Sequence, residues 1–330
     1  MRAGILLLAS TALALLGCGP QFALFVDGEE GGMLLSAWTD GDQVLAVGGQ
    51  LDDTGGLLVE RRDEGWCSDD SIADRPAWWI HGSEPGRWFA VGAAGLILHH
   101  EDGTTVDESV ETDATFYGVW DEGDRVWAVG GDVWGDRLGD LWLREDGSWQ
   151  LVDDQFPGVL FKMWENWIVG DGVAYQVLAD GSLESRPLPG AEKLVTVRGR
   201  SETDVWAVGG LSGALVMHWN GSEWTSVPVD PFCTSQPLNG VWTAPGEEVW
   251  IAGMAGTMGR WDGERWDCAD LRQGDPLRDL SKADFHAVWP GEDGEMLWFG
   301  GNFFARGDNM FSLGRHGEGS SPAGISSCSP

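Results

Sequence analysis

Fifty-three carboxylates, six histidines, five cysteines and two tyrosines are the groups through which this 330-residue chain could do chemistry. Two facing carboxylates could hydrolyse a glycoside, one as acid and the other as nucleophile or base. With 53 to choose from, no pair stands out by spacing. Clustered Asp and Asn could hold Ca²⁺, which takes several oxygen ligands, but no contiguous EF-hand-type loop is present. The cofactor expectation is therefore none, with Ca²⁺ at a loop mouth as the alternative. Zinc favours close C-x-x-C pairs, and Cys18, Cys67, Cys233, Cys268 and Cys328 offer none. Only 20 residues are Lys or Arg, with lysines at 162, 193 and 282, for a net charge of −33. Phosphate repels such a chain, which excludes nucleic acid as a partner. The acidity suits a soluble surface, or attraction to cations and basic partners.

The N-terminus carries a signal of its own. Met1-Arg2 precedes an apolar run from Ala3 to Leu16, interrupted by Gly4, Ser10 and Thr11. That run is too short to span a bilayer and reads as the core of an export signal. It ends in Leu15-Leu16-Gly17-Cys18, which resembles the lipobox of bacterial lipoproteins. The resemblance implies cleavage before Cys18 and a diacylglyceryl group on its thiol. At about 0.8 kcal/mol per buried methylene, two or three acyl chains anchor the mature chain stably to a membrane. Gly19, not Asp, follows; by resemblance to the lipoprotein sorting rule this favours the outer membrane, facing the periplasm or the cell surface. The expected layout begins with a signal peptide at 1–17 and a lipidated tether at 18–21.

The elements that would position any site are repeats. Fifty glycines and 21 tryptophans recur in one pattern, cleanest in Val126-Trp127-Ala128-Val129-Gly130-Gly131 and Val205-Trp206-Ala207-Val208-Gly209-Gly210. Aligning on the first glycine gives anchors at Gly48, Gly92, Gly130, Gly170, Gly209, Gly253 and Gly301, a period of about 40 residues that suits a propeller blade. Large apolar residues stand three before each anchor (Leu45, Phe89, Trp127, Trp167, Trp206, Trp250 and Trp298). Small or branched ones mostly stand one before it, on the same face of a buried strand, here strand b. A preceding strand a ends in Trp38, Trp120, Trp164, Trp242 or Trp289, and in His81 and Arg198 in the two copies that differ. Strand c follows the anchor. Asp102-Gly103, Asp146-Gly147, Asp180-Gly181, Asn220-Gly221 and Asp262-Gly263 then read as type I′ hairpins into strand d. The fold class is all-β: a seven-bladed propeller of four-stranded antiparallel blades over 22–316. Its tryptophans read as blade-to-blade packing.

The seventh copy lacks a fourth strand, because 317–330 is rich in Gly, Ser and Pro and reads as a tail. Phe22-Ala23-Leu24-Phe25-Val26 is a good strand with no other role. It is predicted to close the last blade, removing an open edge. Export places the remaining cysteines in an oxidising compartment, where pairing is expected. Cys233 and Cys268 flank one blade, the sixth. Cys67 lies in strand d of blade 1, and Cys328 ends the tail leaving its ring neighbour, blade 7. Of the three connectivities, Cys233–Cys268 and Cys67–Cys328 are predicted, the second as a clasp.

The glycine doublet, turn and Trp resemble the kelch repeat, and Val-Trp-Ala-Val-Gly with Trp-Asn/Asp-Gly-x-x-Trp looks more like the tandem repeats of bacterial outer-membrane lipoproteins, similar in turn to galactose-oxidase-like and Asp-box (sialidase-like) propellers. The resemblance covers about 34–316; WD40 signatures are absent. A sialidase-like site would need a Tyr nucleophile with a Glu partner and clustered arginines. Tyr117 and Tyr175 sit in different blades and read as packing, and Arg61, Arg144, Arg260 and Arg315 recur on or near strand c. A copper site would need a Tyr–Cys pair and two histidines. His81, His99, His100, His218, His286 and His316 form no such set. No catalytic or metal-binding residue is assigned. The reading is a monomeric, lipid-anchored extracytoplasmic scaffold that presents a loop face to an envelope protein or a glycan, with a sialidase-like glycan hydrolase as the alternative. Loop length picks the face, since b–c loops and d–a connectors share one end of a propeller. Long b–c loops in blades 1, 3 and 7, and the long connector before Asp284, make Asp52, Asp53, Trp134, Asp136, Phe303, Phe304, Arg306 and Asp308 the candidates.

Overall fold

Seven antiparallel sheets follow one another around a ring in the computed structural model, which describes residues 21–40, 43–62, 65–135, 137–244, 246, 248–269, 283–291, 294–305, 307–317 and 325–328. Blade 1 comprises Met33–Thr39, Val44–Gln50, Gly55–Arg62 and Gly65–Asp69 as strands a to d. Blades 2 to 6 take their strands consecutively from 77–107, 115–156, 160–185, 194–226 and 238–268. Blade 7 is built from Asp284–Pro290, Met296–Gly301 and Phe311–Gly317, and its outer strand is the N-terminal Gln21–Glu29, antiparallel to Phe311–Gly317. The ring thus closes through the N-terminal strand. Phe22 secures the closure, its ring 5.5 Å from Trp298 and 4.7 Å from His316. Among the described residues no helix is long and apolar enough to cross a membrane.

The anchor glycine has a steric cause. Strand a carries one extra residue opposite it in every blade, for instance between Leu34 and Ser36 and between Phe285 and Ala287. That bulge pushes the preceding carbonyl of strand a against the anchor. A Cβ on Gly48, Gly92, Gly130, Gly170, Gly209 or Gly253 would fall within 3 Å of that oxygen, and only glycine fits. In blade 7 the same register belongs to Gly300, facing Phe285 and pressed by Asp284 O. The seventh anchor therefore lies one residue before the predicted Gly301. The flanking core positions become Leu297 and Phe299, both fully buried.

Two further expectations change. Type I′ geometry, with positive φ at both central residues, holds at Asp102-Gly103 and Asp146-Gly147. The other three turns are longer, with only the glycine at positive φ. Their Asx side chains cap the loop instead, Asp262 Oδ1 accepting from the N–H groups of Glu264 and Arg265 at 2.9 and 2.8 Å. The C-terminal tail also contains a strand, Ile325–Ser327, which pairs parallel with Gly65–Asp69 and gives blade 1 a fifth strand. Its composition is poor for a strand, but the exposed edge of strand d offers unpaired backbone groups, and the Cys67–Cys328 disulfide holds it there, with Cα atoms 4.9 Å apart. A second disulfide joins Cys233 to Cys268 within blade 6, with Cα atoms 5.3 Å apart.

Candidate functional site

The b–c loops and d–a connectors lie at one end of the ring, and two of the three long b–c loops are joined there. Asn309 of the blade 7 loop, almost fully buried, accepts from Leu51 N–H of the blade 1 loop at 2.9 Å. Its own N–H donates to Gln50 Oε1 at 2.9 Å, and Gln50 Nε2 returns a bond to Asn309 O at 3.1 Å. This lock sets Asp52, Asp53 and Asp308 side by side, all exposed. Thr54 donates to Asp52 Oδ1 at 2.5 Å, and Asp53 sits at the loop tip with φ 64°. A shallow cleft of about 450 Å³ opens between the two loops, lined by Glu30, Thr54, Asp70 and Asp308 among others.

The blade 7 loop is braced from below. Buried Asp284 accepts from Ala255 N–H at 2.9 Å and from the backbone of Phe303, so one carboxylate caps the b–c loops of blades 6 and 7. Burial nevertheless raises its pKa above the usual aspartate value. Phe303 stacks on His286 at 5.3 Å and carries Phe304 edge-on at 5.4 Å. Phe304 is held out into solvent, 77 % exposed. Trp134 projects from the blade 3 loop, 84 % exposed, its backbone N–H and that of Gly135 bonded to Asp132 Oδ1. The candidates from blades 1 and 7 are thus brought together, while Trp134 projects from another sector. Asp136, Arg306, Cys18 and most of the connector before Asp284 lie outside the described residues.

Two aromatic or apolar side chains escaped the sequence reading. Phe232, in the connector between blades 5 and 6, is 100 % exposed, and Leu211, in the b–c loop of blade 5, is 71 % exposed. A signal existed at Phe232, which sits beside Cys233 in a Pro-Phe-Cys step where a bond to Asp230 and a disulfide fix the backbone.

The channel inside the ring is lined by side chains of strand a. The ends of strand a point their side chains inward, and the two copies that depart from Trp decide its character. Arg198 of blade 5 reaches into a cage of indoles, its guanidinium carbon 4.8 Å from Trp289, 5.5 Å from Trp79, 5.7 Å from Trp242 and 5.9 Å from Trp120. His81 stacks on Trp120 at 4.0 Å. One layer nearer the loop face, Lys162 Nζ donates to Tyr117 O and lies 4.2 Å from the Trp79 ring. Burial, and then the Lys162 charge, push His286 down to about 3, so it is neutral.

This arrangement disfavours hydrolysis. Tyr117 packs between Trp78 and Phe161, and burial, aided by Asp132 and Asp53, pushes its hydroxyl up to about 12. A tyrosinate nucleophile needs the opposite shift. Tyr175 packs edge-on against Phe156 and is also raised by burial. Arg61 and Arg144 each bind a carboxylate of their own, Glu295 and Glu108, at 2.8 Å, and Arg260 pairs with Glu248. Among the described residues, the cluster of three metal-capable groups that comes together is Glu60 with Cys67 and Cys328, whose sulfurs are already joined.

No protein-family model matches the chain. It is 29 % identical over 186 residues to the photosystem II assembly lipoprotein Ycf48 of Synechococcus sp. (strain CC9605), covering 52 % of this chain and 47 % of the relative. To the protein of the same name in strain CC9902 it is 26 % identical over 175 residues, covering 53 % and 48 %. The match thus spans about half the length of these curated relatives. Among solved structures, YCF48 bound to D1 peptide superposes with a TM-score of 0.64 at 14 % identity, over 90 % of this chain and 97 % of that one. YCF48 from Cyanidioschyzon merolae gives 0.63 at 13 % identity over 90 % and 98 %. The WD40 propeller of Doa1 gives 0.63 at 11 % over 90 % and 96 %. At these identities the likeness is one of fold.

Proposed function

We propose that this chain is a non-catalytic binding propeller, tethered to a membrane through lipid on Cys18, that holds an extended segment of an envelope protein across its b–c loop face. One observation carries the reading: among the described residues the four most exposed large apolar side chains, Phe232, Trp134, Phe304 and Leu211, all stand on loops of that face. Solvent-exposed aromatics held out by built loops are the anchors on which binding energy concentrates. Their wide separation around the rim suits a long, extended ligand better than a compact one. The acidic cleft between the loops of blades 1 and 7 favours basic residues in that ligand. The relative described as bound to D1 peptide shares the fold and takes a polypeptide, and the cyanobacterial relatives are named as assembly lipoproteins, which supports the anchor and a scaffold role. Gly19 after Cys18, by resemblance to the lipoprotein sorting rule, supports an anchor in the outer membrane.

The test is photo-crosslinking in cells from a reactive amino acid at Phe304 or Phe232, with a control at Val106, which is exposed away from the face. Defined protein adducts from the two face positions and not from the control support the proposal. Equal labelling from all three sites ends it. A glycan array run with the purified chain separates the remaining partner class, since binding there that survives Phe304→Ser and Phe232→Ser would assign the face to a sugar. A Cys18→Ala chain that still fractionates with membranes would contradict the anchor.

A further inference from the structure

We propose that the channel is a binding site for one small monovalent anion, a halide or a carboxylate, held by Arg198, Lys162 and the indole N–H of Trp79. The two cations are only 4 % and 8 % exposed, in a chain of net charge −33. A buried cation ordinarily has a carboxylate beside it. Here none of the described residues supplies one: Arg198 makes no ion pair or side-chain hydrogen bond, and Lys162 bonds a backbone carbonyl. The nearby acids are engaged elsewhere. Asp284 caps two loops, and Asp53 and Asp132 act on Tyr117 at the mouth.

The hydrogen-bonding inventory is one-sided. Arg198 Nη2 and Trp79 Nε1 are both buried donors without an acceptor. Indole N–H groups lacking an acceptor occur elsewhere in the blade cores; Trp79 is distinguished by its ring lying against both cations, the ring centre 4.2 Å from Lys162 Nζ and 5.5 Å from the Arg198 guanidinium carbon. His81 belongs to the same set. Asp121 N–H donates to its Nδ1 at 3.1 Å, so the neutral ring carries its proton on Nε2 and offers one more donor. Arg, Lys and indole contain no acceptor at all. A water molecule placed among them would find partners for its lone pairs and almost none for its hydrogens, whereas an anion accepts from all and cancels charge.

The indole faces soften the cost of burying the guanidinium but bring no net negative charge. Burial pushes Arg198 down to about 9, and burial and then Arg198 lower Lys162 well below the usual lysine value. The Arg198 shift expresses the cost of burial alone and the Lys162 shift that cost with the Arg198 charge added, and an anion in the same space offsets both. The pairing is also positional: both residues occur on strand a, and apart from His81 the other blades place no ionisable side chain at either register.

The experiment is thermal unfolding of the purified full-length chain at fixed ionic strength, with sodium HEPES, a much larger anion, replaced stepwise by chloride, bromide or acetate. The expected result is a saturable rise in Tm of about 3–6 °C that vanishes in Arg198→Met and weakens in Lys162→Met. A response to acetate at lower concentration than chloride would identify a carboxylate as the natural occupant, and the reverse order a halide. If Arg198→Met does not fold, bromide-soaked crystals of the unmodified chain decide, with an anomalous peak expected beside Arg198 Nη2. Equal Tm values in every salt, a rise that persists in Arg198→Met, or a crystal in which a carboxylate of the chain itself occupies the place would each overturn it.

Discussion

Single residues in this ring are constrained by what presses on them. Gly48 faces the carbonyl of Met33 so closely that an added methyl would overlap it. Because the obstacle is backbone and the strand is held on both sides, little can yield. Gly48→Ala is expected to cost at least about 3 kcal/mol, measured as a loss of urea midpoint, whereas Gly103→Ala, with open space around the position, should cost only its positive-φ penalty of about 1 kcal/mol. A second constraint is ionic. Burial alone would raise Glu108, but bonds from Arg144, His99 and Trp149 outweigh it and hold the carboxyl below its usual value. Asp204 is lowered in the same way, by Arg200 and His218. A carboxylate with a depressed folded pKa stabilises fully above its unfolded value, about 4, and loses that contribution as pH falls through the lower folded value. Glu108→Gln should therefore cost about 1.5–3 kcal/mol at pH 6, with the gap to the unmodified chain narrowing toward pH 2. A gap independent of pH would mean that the pairing contributes little.

At the scale of elements, the repeat was legible because each of its parts has one physical cause. The glycine comes from the bulge, the large residue three before it from burial between blades, and the strand at 22–26 from the need to close an edge. Register was less legible. A doublet such as Gly300-Gly301 gives two candidates for the anchor, and only the pairing of Phe285 with Gly300 resolves it. The tail strand was illegible for a different reason, since three residues in a Ser- and Gly-rich segment form a strand only because an edge and a disulfide await them. The loop candidates on blades 1 and 7 could be read from length alone. Asn309 and Gln50, which join those loops, could not, because a buried amide looks like any other polar loop residue in sequence. The clasp gives the prediction for this scale. Cys67–Cys328 closes a loop of 261 residues against 35 for Cys233–Cys268, so by loop entropy it contributes more, about 5.5 against about 4 kcal/mol. Cys328→Ser should lower the unfolding midpoint further than Cys233→Ser, and should also free the Ile325–Ser327 strand to rapid amide exchange while the core of blade 1 stays protected.

Two properties of the whole molecule act on binding at different stages. Its net charge is −33, and the strongly exposed aromatics among the described residues gather on one face. Long-range charge governs encounter, and desolvated anchors govern how long a complex lasts. A basic polypeptide captured by the loop face should accordingly show two separable dependences. Raising ionic strength past the point where the Debye length falls to about 8 Å should slow association with little change in dissociation. Phe304→Ser should do the reverse, leaving association within about twofold and speeding dissociation by roughly tenfold, the effect of losing about 1.4 kcal/mol at an interface anchor. Surface plasmon resonance on the partner recovered by crosslinking reads both rates directly. The two halves fail separately. If salt changes only the off-rate, the acidity is a solubility feature and plays no part in recognition. If Phe304→Ser leaves the off-rate unchanged, the aromatics of this face do not anchor the ligand, and the acidic cleft between blades 7 and 1 becomes the place to look.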